Sequence, residues 1–338
     1  MRAAVMTKPF SIVFQDVPRP EPADHEVLVK VKAAGICGSD VHFYDGSNPY
    51  GRYPQIFGHE LSGVIEKTGA AVTQRSPGER VAIEPAIPCG SCYPCRNGRT
   101  NACVNIDMIG SVRKGGFADF IAVPETHVHP IPDDMAFATG ALCEPFAIGA
   151  QAIERADVQD GEAVVILGMG PIGLTILAQI KKRFQVAVIA VDPVRERLKL
   201  AEAFGADAVI QPAEVNAEEA ISKLTNGEGA GIVIEAAGVP ATIEQSIRLA
   251  AAGGKIVIVG LTGEYVTIPG LLLTKKDIDI HGTRHSIGQF PEVIRFLHEN
   301  SNIAESFITE VMPFTEIEAA LQKAKNCPDQ VTKMILSY

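Results

Sequence analysis

Four of the seven cysteines fall within fifteen residues of the chain and are spaced as metal ligands are. The spacing is C-x2-C-x2-C-x7-C, and its members are Cys89, Cys92, Cys95 and Cys103. Four thiolates can complete a tetrahedral shell around one zinc ion, which leaves no coordination position for a substrate. An iron–sulfur cluster fits the same spacing, whereas a redox dithiol needs only two cysteines. We therefore predict a structural zinc in a lobe spanning about residues 86–105.

A second set of metal-ligating residue types is dispersed along the chain. It consists of Cys37 in Gly-Ile-Cys-Gly-Ser-Asp-Val-His, His59 and Glu60 in Gly-His-Glu, and Glu144 in Cys-Glu-Pro. Each piece alone is common in structural roles, because a lone buried cysteine or a histidine in a glycine turn needs no metal. Composition and spacing do not decide whether these side chains meet in space.

A glycine-rich segment matches the G-x-G-x-x-G pattern of dinucleotide-binding turns. Its residues are Gly168, Met169, Gly170, Pro171, Ile172 and Gly173. It follows an apolar run that ends at Leu167, and a helix is predicted to begin near Pro171. In this context the first glycine allows a tight turn, the second lets a pyrophosphate approach, and the third lets the helix pack closely on its strand. The helix N-terminus favours phosphate groups.

Asp192 follows the next apolar run, 19 residues after Gly173. A carboxylate there would bind the ribose hydroxyls of adenosine and would repel the 2′-phosphate of NADP, so NAD is the expected cofactor. Arg195 and Arg197 lie close by in sequence and leave the use of NADP open. The alternative is that Asp192 caps the helix that begins near Val194.

The patterns around these motifs predict two domains of an α/β protein. The first 140 or so residues are β-rich and loop-rich, with an alternating strand at 27–32. From about residue 145, apolar runs alternate with helical stretches, which indicates βαβ units and a doubly wound parallel sheet. The predicted strands are 163–167, 186–191, 207–210, 231–234, 255–259 and 275–280, and the helices are 171–184, 195–204, 241–249, 290–299 and 317–324. The predicted domains are residues 1–145 with 286–338, and residues 146–285.

The bulk composition excludes several classes of function. The formal net charge is -10, and a surface of this sign repels the phosphate backbone of nucleic acids. No segment reaches the roughly 20 apolar residues of a membrane helix, and no apolar secretory segment follows Met1. We therefore expect a cytoplasmic location, no nucleic-acid partner and no membrane partner.

Taken together, the motifs resemble those of the zinc-containing medium-chain alcohol dehydrogenase family, in order and spacing, over essentially the whole chain. The chain looks most like the sorbitol/polyol dehydrogenase branch, because Glu144 stands where other branches carry a cysteine. The resemblance implies a GroES-like β-rich catalytic domain with a Rossmann domain inserted near its C-terminal end. It also implies an assembly of two or four identical chains.

The resemblance further implies that Cys37, His59 and Glu60 bind a catalytic zinc, which makes two zinc ions per chain. Glu144 would ligate this zinc directly or through a water molecule.

Similar enzymes also suggest roles for residues that move protons and bind cofactor. Ser39 would take the proton from the substrate hydroxyl, and His42 would release it to solvent. Zinc lowers the pKa of water from about 15.7 to about 7. A comparable shift for an alcohol would favour its ionised form by on the order of 10 kcal/mol. Ser39 therefore acts as a relay and not as the source of activation. Asp192 and Arg197 match positions that bind the adenosine end of the cofactor.

The substrate is suggested by Arg284 and His285, which follow the last predicted strand of the nucleotide domain. An arginine there can pair with a carboxylate. Together with Asn48-Pro49-Tyr50 this segment is similar to that of bacterial dehydrogenases of hexonates such as L-galactonate or L-gulonate. Alternatively, Arg284 contacts the cofactor or a neighbouring subunit. Other open readings are a sorbitol/xylitol-type polyol dehydrogenase, an L-threonine 3-dehydrogenase-like enzyme, and a protein that senses nucleotide without turnover.

Overall fold

The structure is a computed structural model that describes residues 1–338, and the chain divides into two units. The first unit comprises Met1–Glu144 and Ile287–Tyr338, and the second comprises Pro145–Ser286. None of the helices combines the length and the apolar character that a membrane crossing requires.

The first unit is rich in strands, as the sequence predicts. Its elements in chain order are β1 Arg2–Lys8, β2 Ser11–Asp16, β3 Glu26–Ile36, α1 Gly38–Asp45, β4 Glu60–Thr68, β5 Arg80–Ile83, β6 Ala86–Ile87, α2 Tyr93–Arg96, β7 Asp107–Met108, β8 Phe120–Pro124, β9 Val128–Pro130 and α3 Phe137–Ala141. Short 3-10 helices cover Thr100–Ala102 and Glu125–His127. Helix α4, Cys143–Ala156, begins in the first unit and continues in the second.

The second unit alternates strands and helices. Its elements are β10 Ala163–Leu167, α5 Pro171–Arg183, β11 Ala187–Val191, α6 Arg195–Ala203, β12 Ala208–Ile210, α7 Ala217–Leu224, β13 Ala230–Glu235, α8 Pro240–Leu249, β14 Ala250–Ile258, α9 Gly270–Lys276 and β15 Asp279–Gly282. The chain then returns to the first unit with α10 Phe290–Glu299, α11 Ser301–Phe307, β16 Glu310–Pro313, a 3-10 helix at Phe314–Glu316, α12 Ile317–Asn326 and β17 Met334–Ser337.

A seven-stranded sheet organises the first unit. Its order is β16-β17-β3-β4-β5-β9, and β8 also pairs with β3. Strand β3 lies at the centre, and its apolar residues Val27, Val29 and Val31 are buried in the core of this unit. Because β3 pairs antiparallel with both β4 and β17, the last residues of β3 lie beside the first residues of those two strands. This corner of the sheet carries the first candidate site.

A six-stranded sheet organises the second unit, and all of its strands are parallel. Its order is β12-β11-β10-β13-β14-β15. The apolar strands are buried on both faces, which is the usual state of a parallel sheet covered by helices. The predicted doubly wound sheet is confirmed, and so is the GroES-like plus Rossmann fold class. The carboxyl ends of β10 and β11 carry the second candidate site.

One predicted strand is wrong in its position. The alternating segment 275–280 was predicted as a strand, but Lys275 and Lys276 end helix α9, and β15 begins at Asp279. The helix ends because Asp277 adopts the left-handed conformation, with a φ of 53°. Helices α1 to α4, α7, α9 and α11 are not among the predicted elements.

Candidate metal and dinucleotide sites

The four cysteines of the lobe at 86–105 converge on one point. Their ligand atoms all lie within 4.8 Å of one another: Cys89, Cys92, Cys95 and Cys103. The sulfur of Cys92 is 3.3 Å from that of Cys95 and 3.8 Å from that of Cys103. Four sulfurs each about 2.3 Å from a zinc ion would be about 3.8 Å apart. The four thiols therefore fit one tetrahedral ion.

The pKa values of two of these thiols shift in opposite directions. Hydrogen bonds from the backbone of Ser91 and Cys92 lower the pKa of Cys89 to about 6. Desolvation, together with the sulfur atoms of Cys92 and Cys103, raises the pKa of Cys95 to about 12. Four neighbouring thiolates repel one another, so a divalent cation is needed to hold them all deprotonated.

The dispersed set of ligand types is also brought together in part. Cys37 precedes helix α1, and Glu60 begins β4, directly opposite Gly35 of β3. The ligand atoms of Cys37, His59 and Glu60 all lie within 4.8 Å of one another, and His59 and Glu60 are buried. One sulfur, one nitrogen and one oxygen suit zinc and leave one position of a tetrahedral ion open. We call these three residues the metal group.

Gly35 makes room for the carboxylate of Glu60. A Cβ atom added to Gly35 would lie 2.0 Å from Oε2 of Glu60, well inside any real contact. The sequence shows a glycine two residues before Cys37 but does not explain it. The explanation is the close approach of Glu60 on the neighbouring strand β4.

Lys333 is a member of this site that the sequence analysis missed. Its Nζ donates to Oε1 of Glu60 at 2.6 Å, to Oε2 at 2.8 Å and to the carbonyl oxygen of Ile36 at 3.2 Å. Burial by itself lowers the pKa of Lys333, but Glu60 and Cys37 outweigh it, so the pKa is raised. The sequence signal is faint: a single lysine directly before the apolar strand β17.

Asp40 is the second missed residue, although it lies within the quoted Cys37 motif. Its Oδ2 accepts a hydrogen bond from the backbone N–H of Cys37 at 3.0 Å. Its Oδ1 is buried without a hydrogen-bond partner and lies 3.8 Å from Nδ1 of His59. Burial raises the pKa of Asp40. Burial lowers the pKa of His59, but Asp40 and Cys37 together raise it well above its usual value. A carboxylate facing Nδ1 leaves Nε2 of His59 for an ion.

Glu144 lies beside the metal group but outside it. It is the second residue of α4 and is buried. Burial, with the charge of Glu60 adding to it, raises the pKa of Glu144 to about 7, although His59 opposes the shift. The charge of Glu144 in turn contributes to the raised pKa of His59.

Ser39 and His42 lie one helical turn apart on α1, so their side chains share one face. Ser39 is half-buried and His42 is exposed. Nδ1 of His42 lies 2.9 Å from the hydroxyl of Ser47. This contact leaves Nε2 as the ring nitrogen for proton exchange with another group.

The glycine-rich turn joins β10 to α5 in the second unit. Gly168 has a φ of 95°, which only glycine adopts without strain. A Cβ atom at Gly173 would lie 1.9 Å from the carbonyl oxygen of Gly168, so helix and turn touch at this point. A Cβ atom at Gly170 would meet nothing within 4 Å, so the space above the second glycine is open. We call residues 168–173 the Gly168 turn.

Asp192 contacts the Gly168 turn directly. Its Oδ2 accepts from the backbone N–H of Met169 at 2.7 Å, and its Oδ1 accepts from that of Val194 at 2.8 Å. Nη1 of Arg197 lies 3.7 Å from Oδ2. One oxygen of the carboxylate therefore accepts a hydrogen bond just before α6, much as the predicted helix cap would. The other oxygen holds the backbone of the Gly168 turn.

Arg284 and His285 follow β15 in the second unit, as the sequence predicts. Nη2 of Arg284 lies 2.8 Å from Nε2 of His285, and His285 has a φ of 50°. A left-handed conformation is uncommon for a residue with a side chain.

The chain combines a GroES-like sheet that carries a cysteine lobe with a parallel sheet that carries the Gly168 turn. This combination defines the class of zinc-type medium-chain dehydrogenases. Residues 23–133 match the family model described as Alcohol dehydrogenase GroES-like domain, and residues 171–299 match the one described as Zinc-binding dehydrogenase. The chain is 33% identical over 344 residues to the sorbitol dehydrogenase of Bacillus subtilis, covering 99% of this chain and 97% of that protein.

Two solved structures are similar over the full chain. One is the short chain alcohol dehydrogenase rspB from E. coli CFT073 complexed with NADH, with a TM-score of 0.94, 33% identity and coverage of 100% and 99%. The other is a zinc-binding dehydrogenase from Sinorhizobium meliloti 1021 bound to NADP, with a TM-score of 0.92, 31% identity and coverage of 100% and 99%.

The chain belongs to the zinc-containing medium-chain alcohol dehydrogenase family, and within it to the polyol branch. It is a zinc-dependent, NAD(P)-linked oxidoreductase, which confirms the family, the enzyme class and the cofactors predicted from the sequence.

Proposed function

We propose that the chain oxidises a secondary alcohol of a polyol or a sugar acid to a ketone, with NAD as the hydride acceptor. The observation that carries this proposal is the metal group, whose sulfur, nitrogen and oxygen ligand atoms all lie within 4.8 Å of one another. Zinc at this position supplies Lewis acidity that lowers the pKa of a substrate hydroxyl. NAD supplies the hydride acceptor. The protein itself has to bind and orient the substrate and the cofactor, and it has to move a proton.

Cys37, His59 and Glu60 would hold this catalytic zinc. Asp40 would orient the ring of His59. Gly35 has no side chain and so leaves space for the carboxylate of Glu60. Glu144 would act through a water molecule, because its carboxylate is not among the atoms that converge within 4.8 Å. The four cysteines of the lobe would hold a second zinc with a purely structural role.

Ser39 would accept the proton of the substrate hydroxyl and pass it on through His42. Two features support this relay: the two side chains share one face of α1, and His42 is exposed. Because its imidazole is exposed, His42 can exchange a proton with water. Ser39 itself is too weak a base to remove the proton without prior activation of the alcohol.

The Gly168 turn would bind the pyrophosphate of the dinucleotide, with Pro171 and Ile172 beginning the helix whose N-terminus faces the phosphates. Asp192 would accept hydrogen bonds from the adenosine ribose, and Arg197 would contact the same end of the cofactor. The carboxylate of Asp192 is buried and close to the turn. A 2′-phosphate would add negative charge beside it, so we infer a preference for NAD over NADP.

The finer substrate class rests on Arg284 and His285. The guanidinium of Arg284, which lies 2.8 Å from the imidazole of His285, carries a positive charge that suits a carboxylate and favours a hexonate such as L-galactonate or L-gulonate. The similarity to the sorbitol dehydrogenase favours an uncharged polyol as the second candidate.

A panel of substrates with the zinc-loaded enzyme tests these proposals. NAD reduction would be measured with L-galactonate, L-gulonate, sorbitol, xylitol and L-threonine, and zinc would be measured by elemental analysis. We expect two zinc ions per chain and the highest kcat/KM with a hexonate. Turnover of sorbitol but of no acid would contradict the sugar-acid proposal. Turnover of threonine alone would contradict both the sugar-acid and the polyol proposals.

We also propose that two copies of the chain associate through β15, as dimers or as tetramers built from them. Strand β15 is the last strand of its sheet, and its outer edge has no neighbouring strand. Leu261, Tyr265 and Leu271 lie nearby in the chain and are more than four-fifths exposed. Light scattering after gel filtration should give the mass of two or four chains, and the mass of one chain would contradict the proposal. The cytoplasmic location stays a prediction.

A further inference from the structure

Glu235 is a buried carboxylate in the second unit that none of the roles above uses. It is the last residue of β13, and no part of it is exposed. Its Oε1 accepts three hydrogen bonds: from the backbone N–H of Ala237 at 3.0 Å, from that of Gly238 at 2.8 Å and from the hydroxyl of Thr242 at 2.7 Å. All three donors belong to the loop after β13 or to the first turn of α8.

The same loop touches the Gly168 turn, backbone against backbone. A Cβ atom at Gly168 would lie 2.8 Å from the nitrogen of Ala237 and 3.0 Å from the carbonyl carbon of Ala236. The N–H of Ala236 also donates to the carbonyl oxygen of Leu167 at 2.8 Å, immediately before the turn. The position of the Gly168 turn and that of the loop after β13 are therefore set together.

The loop is held on its other side by the segment that follows β14. A Cβ atom at Gly260 would lie 2.2 Å from the nitrogen of Gly238 and 2.7 Å from Oε2 of Glu235. The backbone N–H groups of Val259 and Gly260 both donate to the carbonyl oxygen of Glu235. Glu235 thus holds a loop that contacts the Gly168 turn on one side and the segment after β14 on the other.

These loops border the crevice where a doubly wound sheet binds its ligand. The chain runs from β10 outward through β11 and β12, and then from β13 outward through β14 and β15. The direction of winding therefore reverses between β10 and β13, and ligands bind beyond the carboxyl ends of strands at such a point. One side of this crevice is the Gly168 turn, and the other is the loop Ala236–Val239.

We propose that Glu235 is a positioning residue for the dinucleotide: it holds the loop Ala236–Val239 against the Gly168 turn, so that both sides of the crevice are fixed before the cofactor binds. This inference rests on the proposed binding of the cofactor at the Gly168 turn, and it extends the cofactor site to the last residue of β13 and the loop that follows it.

The local energetics favour a positional role for Glu235. Oε2 of Glu235 is buried without a hydrogen-bond partner, and such an atom costs free energy. An apolar side chain would avoid this cost but would leave the N–H groups of Ala237 and Gly238 without their acceptor. The carboxylate is therefore placed to set the conformation of the loop. A preformed loop spares the cofactor the cost of ordering it.

The test is the dissociation constant of NADH, measured by fluorescence titration of the zinc-loaded protein. Glu235→Ala should weaken NADH binding by about 10-fold or more, which corresponds to about 1.4 kcal/mol. Glu235→Gln keeps a carbonyl oxygen for the two N–H groups and should stay within about 3-fold of wild type. KM for NAD should rise with the dissociation constant, while kcat at saturating NAD and the zinc content stay close to wild type.

A matched control lies at the opposite end of the sheet. Glu162 precedes β10, and its carboxylate also accepts a backbone N–H, from Gln159 at 2.8 Å. Glu162→Ala should bind NADH as wild type does. Thr242→Val removes one of the three donors to Glu235 and should weaken NADH binding by about 3-fold. This variant tests the inference if Glu235→Ala does not fold.

The outcomes separate this inference from the proposed function. Wild-type affinity for NADH in a folded Glu235→Ala variant would overturn the inference, and so would wild-type affinity in Thr242→Val if Glu235→Ala does not fold. A loss of kcat with unchanged NADH affinity would also overturn it. If wild type itself fails to bind NADH, the proposed function is wrong. If Asp192→Ala weakens NADH binding and Glu235→Ala does not, only the inference falls.

Discussion

The ammonium group of Lys333 lies 2.6 Å and 2.8 Å from the two carboxylate oxygens of Glu60, and both side chains are buried. Glu60 therefore has a cationic partner of its own within the protein. A zinc ion at the metal group would share this carboxylate with Lys333 and would also be repelled by its positive charge. Lys333 thus stabilises the site most when no metal is bound.

Lys333→Met should therefore destabilise the zinc-free protein more than the zinc-bound protein. Removing one partner of a buried ion pair costs about 3–5 kcal/mol, because the other charge is left uncompensated. Bound zinc would compensate Glu60 in the variant, so the cost should be smaller in its presence. By thermodynamic linkage the variant then binds zinc more tightly than wild type. Urea unfolding with zinc and with a chelator measures both quantities.

Lys323→Met is the control for Lys333. Lys323 forms an exposed ion pair with Glu310 in the same unit, and such pairs contribute little to stability. It should unfold like wild type under both conditions. The cysteine lobe is unchanged in all variants, so its zinc cancels in the comparison. A Lys333→Met variant that loses zinc more readily than wild type would refute the competition between Lys333 and the metal for Glu60.

Gly35→Ala should displace Glu60 and reduce the zinc content from two ions per chain toward one. The added methyl group would lie 2.0 Å from Oε2 of Glu60, and both β3 and β4 are too well packed to move apart freely. Gly38→Ala is the matched control, because a Cβ atom at Gly38 meets nothing within 4 Å. Elemental analysis of the two purified variants checks the prediction. Full zinc content in Gly35→Ala would show that Glu60 is not needed to hold the ion.

Ser39→Ala should lower kcat by about 10²- to 10⁴-fold, the range that a positioned proton-transfer group contributes. Its zinc content should stay at two ions per chain, because Ser39 is not a proposed ligand. Ser39→Thr keeps a hydroxyl group at the same position and should recover part of the rate. Steady-state kinetics at saturating NAD measures the effect. If zinc is lost together with activity, Ser39 has a structural role and the relay is wrong.

Asp192→Ala should weaken NADH binding and reduce the preference of the enzyme for NADH over NADPH. The substitution removes the acceptor of the Met169 N–H at 2.7 Å and the negative charge that would repel a 2′-phosphate. We expect the ratio of the two dissociation constants to change by about 10-fold or more, equivalent to about 1.4 kcal/mol.

Asp207→Ala is the control for Asp192. Asp207 also accepts a backbone N–H, from Val188 at 2.7 Å, but it lies at the amino end of the sheet. It should leave the ratio unchanged. A wild-type ratio in Asp192→Ala would remove Asp192 from cofactor selection.

The parallel sheet and its turn could be predicted well from the sequence, because each strand is a short apolar run and each run is followed by a helical pattern. The Gly168 turn carries its own signal in three glycines at fixed spacing. The predicted strand at 275–280 is wrong because the segment alternates apolar and polar residues for only a few positions, and such a short pattern does not exclude the end of a helix. The left-handed Asp277 that ends α9 is set by local backbone geometry that composition does not show.

The metal group could be predicted only in part. Cys37, His59 and Glu60 are predicted as a set only through the resemblance, since spacing alone does not bring the residue between β3 and α1 next to the two residues at the start of β4. Lys333 lies 273 residues from Glu60 in the chain, and only the pairing of β17 with β3 brings it near. The sequence contains no signal for the role of Glu235. A glutamate at the end of a strand is common, and only the structure shows the three hydrogen-bond donors that it binds.

Crystals of the zinc-loaded protein, with diffraction measured on both sides of the zinc absorption edge, test the central claim most directly. We predict two anomalous peaks per chain: one among the four cysteines of the lobe, and one bonded to Cys37, His59 and Glu60. A single peak in the lobe, with the metal group holding no zinc in protein that turns over an alcohol, would contradict the account.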